Sequence, residues 1–450
     1  MIGSLVIHVV ALSLWVGGVI ALAFLSAKDR PVAVPRFSQL ALWSAIAVVI
    51  SGAVNAWARL NFVDAWNSAY AFIVLGKIVA TIVLVFIGYL HRKTLAKKDS
   101  INWVGFAKLL TAEALIMVVT VLMGTWLSTS ASPDRPGSSE FSPALSIVGV
   151  ETPPPPTLSR ILFSYEPNAL MIGILTLMVA LYVKGVVVLT KRGDKWPVGR
   201  TVAFALGITA TDFATSGGLG LYAQFSFSYH MISHMVLGMV APIGLVLGAP
   251  MTLALRTLPQ GRNPEERGVR GSLLAALHSK IGVLYTNPIV ALAIFDGSLF
   301  ALYFTDLFAV LMQSHTGHLF MSLHFLAAGF LFFFIIIGVD PNPRKVHHLV
   351  QIVILFAAMS IHAFFSVALM STTTLIDQGF YTSLQTPWLG DPLADQKLGG
   401  SIGWAMGEIP ILIALVATFI NWMRDDSREA KRIDRNTARQ AAMGQPDDLA

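Results

Sequence analysis

The sequence predicts an all-α, polytopic integral membrane protein with about eleven transmembrane helices in two bundles. Of the 450 residues, 55% are hydrophobic and only 12% are charged, and the mean hydropathy is +0.68. Such a composition is typical of a chain that lies largely within a bilayer. Each apolar run has roughly the 20 residues that a helix needs to cross. Cysteine is absent, which excludes a disulfide framework, a thiolate zinc site and an iron–sulfur cluster.

The first predicted span is Ser4–Leu25. No basic segment precedes it and no convincing small-residue cleavage site follows, so we interpret it as a span and not as a removed signal peptide. Three more spans complete a first membrane domain, residues 1–128: Phe37–Trp57, Tyr70–Leu90 and Trp103–Leu127. The second membrane domain, residues 169–424, has seven: Ala169–Leu189, Val202–Tyr222, Ser226–Leu247, Leu284–Phe308, His318–Ile337, Val346–Met370 and Ile402–Trp422. A Pro-rich linker, residues 129–168, separates the two domains, and a charged tail, residues 425–450, ends the chain.

The distribution of Lys and Arg predicts how the chain is oriented. Loops rich in basic residues, such as Lys191–Arg200 and Arg256–Lys280, alternate with loops that have few, such as Thr129–Asn168. Because basic loops stay in the cytoplasm, the pattern places the N-terminus outside and the C-terminus inside a bacterial plasma membrane. The net charge of +6 comes mostly from these loops and therefore indicates a lipid bilayer as partner and no nucleic acid.

The run from Phe225 to Pro250 carries the most chemical information. His230 and His234 are four residues apart, so on a helix they share one face, about 6 Å apart along the axis. Met231 and Met235 belong to a stripe beside them. Imidazole and thioether together suit copper, Cu(I) in particular. The alternative is that the histidines form interhelical hydrogen bonds and the methionines are packing residues.

Histidines collect at the predicted outer face of the membrane. Seven of the eleven histidines fall there, on several predicted spans, with Met321 among them: His8, His230, His234, His315, His318, His324 and His362. The others lie at predicted cytoplasmic ends. Polar side chains in a membrane are costly and mark functional sites, so the cluster predicts a metal or haem site, with a purely hydrogen-bonded cluster as the alternative.

Acidic residues also occur within the predicted spans. Asp212, Asp296 and Glu408 fall near the middle of three spans of the second domain. An acid within a membrane is a candidate for a proton relay, a cation relay or a counter-charge. Alternatively, each is a neutral, hydrogen-bonded acid that holds two helices together. The chain has no Gly-rich phosphate loop, Ser-His-Asp arrangement or HExxH motif, so no enzyme class is indicated.

The second domain resembles the CtaG-type cytochrome c oxidase assembly factors in the form that is fused to a copper-resistance D (CopD) domain. The matching stretches include YHMISHMVLGMVAPIGLVLGAP at Tyr229–Pro250, HTGHLFMSLHFLAAGFLFF at His315–Phe333 and DQKLGGSIGWAMGEIP at Asp395–Pro410. The first domain is similar to CopD, through HVVALSLWVGG at His8–Gly18 and RFSQLALWSAIAVVISGAVNA at Arg36–Ala56.

The resemblance implies copper handling at the outer face by a non-enzymatic protein that supplies copper to a core subunit of a haem–copper cytochrome c oxidase. The copper donor stays unidentified. The His-rich family motifs fall on the histidine cluster of the second domain, and two further family motifs fall on Asp395 and Glu408. Two alternatives remain: a copper transporter whose path includes the acids within the membrane, and a haem-binding redox protein, because facing histidines also ligate haem.

Overall fold

The computed structural model describes residues 2–26, 29–96, 103–130, 133, 142–261, 267–343 and 346–443. The described residues are predominantly α-helical, as the sequence predicts. The chain divides into two compact units: Met1–Phe141 with Asn168–Gly173, and Ser142–Pro167 with Ile174–Ala450.

The first unit is built on four long helices: α1 (Ile2–Ala23), α2 (Arg30–Leu60), α3 (Ala69–Ala96) and α4 (Trp103–Thr129). A 3-10 turn at Val63–Asn67 joins α2 to α3. Pro31 lies in the first turn of α2, where a proline removes no intrahelical hydrogen bond, whereas Pro35 lies inside the helix. Trp15, Val48 and Met117 are buried in the core between α1, α2 and α4.

The second unit has seventeen α-helices of very different lengths among its described residues. Those that precede the histidine-bearing segment are α5 (Pro143–Ile147), α6 (Leu158–Phe163), α7 (Ala169–Lys191), α8 (Val198–Thr215) and α9 (Gly218–Tyr222). The histidine-bearing segment forms α10 (Phe227–Met235), a π-helical turn (Val236–Val240), α11 (Ala241–Leu247) and α12 (Pro250–Thr257). The remainder comprises α13 (Gly268–Leu277), α14 (Lys280–Tyr285), α15 (Pro288–Phe295), α16 (Gly297–Tyr303), α17 (Leu307–Met312), α18 (His315–Ile337), α19 (His348–Ser371), α20 (Phe380–Ser383) and α21 (Pro392–Met443).

Nine helices among the described residues are long and apolar enough to cross a membrane, by length and composition. They correspond to nine of the eleven predicted spans, and the protein is a multi-pass membrane protein. The predicted span Val202–Tyr222 is divided between α8, of 18 residues, and the short α9. The predicted span Leu284–Phe308 is also divided, and its apolar part, Pro288–Tyr303, is a shorter helical segment.

The break within that segment occurs at Asp296, which ends α15 and precedes α16. Asp296 is 1% exposed. Irregular backbone at membrane depth is tolerated only where it is buried in protein or lines a cavity, and a buried acid at the break therefore marks a specialised position. Averaged hydropathy does not reveal such a break, because the residues around Asp296, Gly297 and Ser298 are apolar.

The described parts of the linker and of the tail have defined structure. Within the linker, the carbonyl oxygens of Pro153 and Pro154 accept hydrogen bonds of 2.8 Å from Trp388 Nε1 and Tyr222 Oη of the second unit. The predicted tail continues α21 without a break as far as Met443.

Close backbone contact fixes α18 against the π-helical turn. A Cβ atom at Gly329 would lie 1.9 Å from the carbonyl oxygen of Gly238 and 2.8 Å from Pro242 Cγ, so only glycine permits this approach. Because α10 leads directly into the π-helical turn, the contact also sets the position of α18 relative to the histidines of α10. Single-turn π-helices are frequent at functional sites.

Candidate metal centre

Three histidines from two helices converge in the second unit. His230 and His234 on α10 and His318 on α18 each offer a ring nitrogen, and these three atoms lie within 4.8 Å of one another. The ring centroids of His230 and His234 are 3.9 Å apart. Imidazole nitrogens that bind one ion at about 2 Å lie at most about 4 Å from one another, so small side-chain rotations suffice for the three rings to share an ion.

Tyr303, at the end of α16, orients two of the three rings. Its Oη lies 3.0 Å from His234 Nδ1 and 3.5 Å from His230 Nδ1. A tyrosine hydroxyl oxygen has lone pairs that accept N–H groups. When both Nδ1–H groups donate to this oxygen, the lone pair of each ring is on Nε2. An outer partner of this kind is what metal-ligating histidines usually have.

The remaining nitrogens of these two rings are available as ligands. His230 is 0% exposed and His234 is 1% exposed, and the Nε2 atoms of both have no hydrogen-bond partner within the part of the chain that the structure describes. A buried polar atom without a partner is unfavourable by about 1–3 kcal/mol. Two such atoms facing a third imidazole form a site that a metal ion would satisfy.

The walls of this three-histidine site are aromatic. Phe308 stands edge-on to His230, with ring centroids 5.3 Å apart, and Phe325 packs 4.3 Å from His234. A cleft of about 20 Å³ reaches His318, between Ser314 on one side and Gln224 on the other. His318 itself is partly exposed. The cleft has room for one water molecule or a bare ion and is far too small for a porphyrin.

Asp395 acts on this site through the backbone. Its carboxylate accepts hydrogen bonds from the backbone N–H of Phe227 at 2.8 Å and of Ser228 at 3.3 Å, and from Ser226 Oγ at 3.0 Å. The carboxylate therefore caps the N-terminus of α10, where a negative charge is favourable. In this structure Asp395 holds the helix that carries His230 and His234.

His362 lies apart from the three-histidine site, in a second polar cluster. Its Nδ1 is 3.5 Å from Asp296 Oδ1, and its Nε2 is 3.2 Å from the carbonyl oxygen of Gly403. Gly407 packs against the ring, since a Cβ atom there would lie 2.1 Å from His362 Nε2. Glu408 is close enough to interact electrostatically with both members of the pair. The structure therefore separates His362 from the histidines with which the sequence groups it.

The methionines are buried among apolar residues. Met231, Met235 and Met321 are each at most 2% exposed and belong to the main hydrophobic core of the second unit. Met231 faces α21 and α19: a Cβ atom at Gly403 would lie 3.4 Å from its sulfur and 3.7 Å from Ser366 Oγ. It is directed toward the cluster around His362.

The remaining predicted site residues have diverse positions. The ring of His324 packs between Phe320 and Phe325, and its buried Nε2 lacks a hydrogen-bond partner among the described residues. Asp212 lies near the end of α8 and not at its middle, and accepts a hydrogen bond of 3.1 Å from Tyr165 Oη.

The two other predicted ligands are His8 and His315. His8 belongs to the first unit, where its Nδ1 is 3.0 Å from Ser51 Oγ. His315 is the first residue of α18, and its side chain lies outside the described part of the chain.

Sequence reasoning missed Tyr303. It is 1% exposed and belongs to an apolar run in which no motif or spacing distinguishes it. The one available signal is general: a buried tyrosine hydroxyl requires a hydrogen-bond partner, and the unpaired histidines of a neighbouring span were candidates for that role.

Comparison with curated proteins finds relatives in mycobacteria. Uncharacterized proteins of Mycobacterium bovis and Mycobacterium tuberculosis are each 42% identical over 290 residues, which is 64% of this chain and 44% of the relative. One from Mycobacterium leprae is 41% identical over the same length. The chain thus spans less than half the length of the curated relatives that it matches. No solved structure matches.

Two family models match the chain. Residues 31–127 match Copper resistance protein D, which covers most of α2, α3 and α4 in the first unit. Residues 180–425 match Cytochrome c oxidase caa3 assembly factor (Caa3_CtaG), and this range contains the three-histidine site, Tyr303 and the His362 cluster. The second match covers more than half of the chain. The protein therefore belongs to the family of cytochrome c oxidase caa3 assembly factors.

Proposed function

We propose that the chain binds one copper ion as Cu(I) at His230, His234 and His318 and supplies it to the core of a haem–copper cytochrome c oxidase. The observation that carries this proposal is the convergence of the three imidazoles, with ligand atoms within 4.8 Å and two buried Nε2 atoms that lack partners. Membership of the assembly-factor family supports an oxidase as the recipient. The similarity of the first unit to Copper resistance protein D supports copper as the ion that is delivered.

The surroundings of the site favour a monovalent ion. The three ligands are neutral imidazoles, and Phe227, Phe308 and Phe325 pack against them. Burial of charge in apolar surroundings is costly and rises with the size of the charge. Imidazole binds copper and zinc well, so the low polarity of the walls favours Cu(I) over Cu(II) and Zn²⁺. The 3.9 Å separation of two rings on one helix favours a bare ion over haem.

The position of His318 supports delivery. This ligand is partly exposed, and the cleft beside it is the size of an ion. An ion bound at His230 and His234 can therefore be exchanged at His318 while the rest of the site stays closed. We place this exchange at the outer face of a bacterial plasma membrane, on the basis of the alternating loop charges.

Oxidase maturation in cells tests the proposed function. Deletion of the protein should lower the amount of active haem–copper oxidase, and the wild-type chain should restore it. The His230→Ala/His234→Ala chain should fail to do so at equal protein level, because two of three ligands are absent. Copper added to the deletion strain should restore oxidase activity in part. His278→Ala is the matched control, since this histidine is exposed and its Nδ1 is 2.9 Å from the carbonyl oxygen of Leu274. Full oxidase activity with the double variant would contradict the proposal.

Copper transport is the second candidate function, and the His362 cluster is the observation that favours it. Asp296 Oδ2 and Ser366 Oγ are buried without hydrogen-bond partners among the described residues, and Asp296 Oδ1 has only the long 3.5 Å contact with His362 Nδ1. Such atoms are available to a cation that passes deeper into the protein. Delivery needs no such passage.

The substitution Asp296→Asn separates the two functions, because it removes the charge and keeps the shape. Under delivery, cellular copper accumulation should stay at the wild-type level. A large fall in copper uptake at normal protein level would contradict delivery and support transport. Measurement of copper in washed cells by mass spectrometry, with Asp306→Asn at an exposed position as control, provides the readout.

A further inference from the structure

The first unit contains a cavity that the copper site does not involve. Its volume is about 310 Å³, and helices α1 to α4 enclose it. Trp15 and Leu22 of α1 and Leu110 of α4 form its inner wall. Leu42 of α2 and Tyr89 of α3 also line the cavity and have exposed side chains, so we infer an opening between these two helices. In a membrane this opening faces lipid, so the cavity is accessible to molecules dissolved in the bilayer.

One end of the cavity is polar and ionisable. His91 Nε2 lies 3.2 Å from Glu113 Oε2, and the two side chains are 9% and 6% exposed. Next to them, Arg92 donates a hydrogen bond of 2.8 Å to the carbonyl oxygen of Ser38. All four residues line the cavity. Ionisable side chains in a membrane protein face a partner or a cavity and are functional candidates by default.

The rest of the lining is apolar and includes three aromatic side chains, those of Trp15, Phe37 and Tyr89. A largely apolar cavity with a few convergent polar groups is the usual form of a small-molecule site. The ligand that matches this lining has a flat ring that packs against aromatic side chains, polar groups that hydrogen-bond with an imidazole and a carboxyl group, and an apolar tail that extends into lipid.

We propose that this cavity binds a lipophilic quinone, with the ring between the aromatic side chains and an oxygen of the ring directed at the His91–Glu113 pair. Imidazole N–H donates to a quinone carbonyl, and a carboxylate accepts from a quinol hydroxyl, so the pair suits both forms. The isoprenoid tail leaves between α2 and α3. A phospholipid matches less well, because its acyl chain has no group for the pair, although Arg92 could meet its phosphate.

Gly88 provides a way to close the cavity without a clash. This residue lines the cavity, and a Cβ atom built there would meet nothing within 4 Å. A phenylalanine at this position therefore occupies space that the ligand would fill. Gly17 on α1 is the matched control, because its Cβ position is equally open, the residue is exposed and it does not line the cavity.

The test is binding of decylubiquinone to the purified full chain in detergent, followed by quenching of tryptophan fluorescence, to which Trp15 in the cavity wall contributes. Wild-type and Gly17→Phe proteins should bind with equal affinity. Gly88→Phe should bind at least tenfold more weakly, at an unchanged melting temperature. Glu113→Gln, which keeps the size of the side chain, should also weaken binding and serves if Gly88→Phe does not fold.

Equal quenching in wild-type, Gly88→Phe and Glu113→Gln proteins would overturn the proposal, because it would reflect partition of the quinone into detergent. Native mass spectrometry of the same proteins is the second measurement, and it identifies any lipid that remains bound. Retention of a phospholipid by wild type and its loss from Gly88→Phe, without quinone binding to either, would assign the cavity to lipid and would also overturn the proposal. Neither result would affect the copper site, which belongs to the second unit.

Discussion

Purified His230→Ala/His234→Ala protein is expected to bind no copper above background, whereas the wild-type chain is expected to bind about one ion under the same conditions. Both side chains are fully buried and would contribute two of the three ligand nitrogens of the proposed site. Removal of two ligands leaves one partly exposed imidazole, His318, which cannot retain the ion alone. A structural hydrogen bond within a membrane protein is worth only about 0.6–2 kcal/mol, so a structural role predicts a moderate loss of stability and no loss of copper.

The measurement is copper per chain by elemental analysis after reconstitution with Cu(I) in anaerobic detergent solution, together with the melting temperature. His278→Ala is the control and should keep its copper. If the double variant does not fold, His318→Leu replaces it, because this side chain is only partly buried; it should bind copper at least tenfold more weakly. Full copper content in a destabilised double variant would show that the histidines are structural.

The sequence predicts the class of fold and the shared helical face of His230 and His234 for clear physical reasons. Apolar runs of about 20 residues identify most of the membrane helices because length and hydropathy are set by the bilayer. The spacing of His230 and His234 places both on one face of a helix because the helical period is fixed at 3.6 residues. Both features are local, and both are present in the structure.

The features that the sequence does not predict depend on tertiary contacts. His318 and His362 lie on different helices and both belong to the predicted outer cluster. Only the packing of α18 through Gly329 and of α19 against Gly407 decides which of them lies beside His230 and His234. The break at Asp296 has a local signal, the Asp-Gly pair with Gly297, but the apolar residues around it dominate the averaged hydropathy. The role of Asp395 also depends on a tertiary contact. Its carboxylate caps α10 only because α21 packs against the start of that helix, and no local sequence pattern specifies this contact.

Tyr303→Phe is expected to weaken Cu(I) binding by about 10- to 100-fold, the usual effect when the outer hydrogen-bond partner of a metal-ligating histidine is lost. The substitution removes only the hydroxyl group that lies 3.0 Å from His234 Nδ1. The ring keeps its contacts with Phe308 and Phe365, whose centroids are 5.0 Å and 5.6 Å away. Without the hydroxyl group, neither imidazole is fixed in the tautomer that presents Nε2 to an ion.

The affinity is measured by competition with a chromogenic Cu(I) chelator, and Tyr381→Phe is the matched control. Tyr381 is also buried in the second unit, but its hydroxyl group donates to the carbonyl oxygen of Ala223 at 3.3 Å and not to a histidine. Both substitutions remove one buried hydrogen-bonding group, so both should lower stability by about 1–3 kcal/mol. Only Tyr303→Phe should also lower the affinity for Cu(I), because only this hydroxyl group orients ligands. Equal affinities in the two variants would mean that Tyr303 supports the fold and leaves the metal site unaffected.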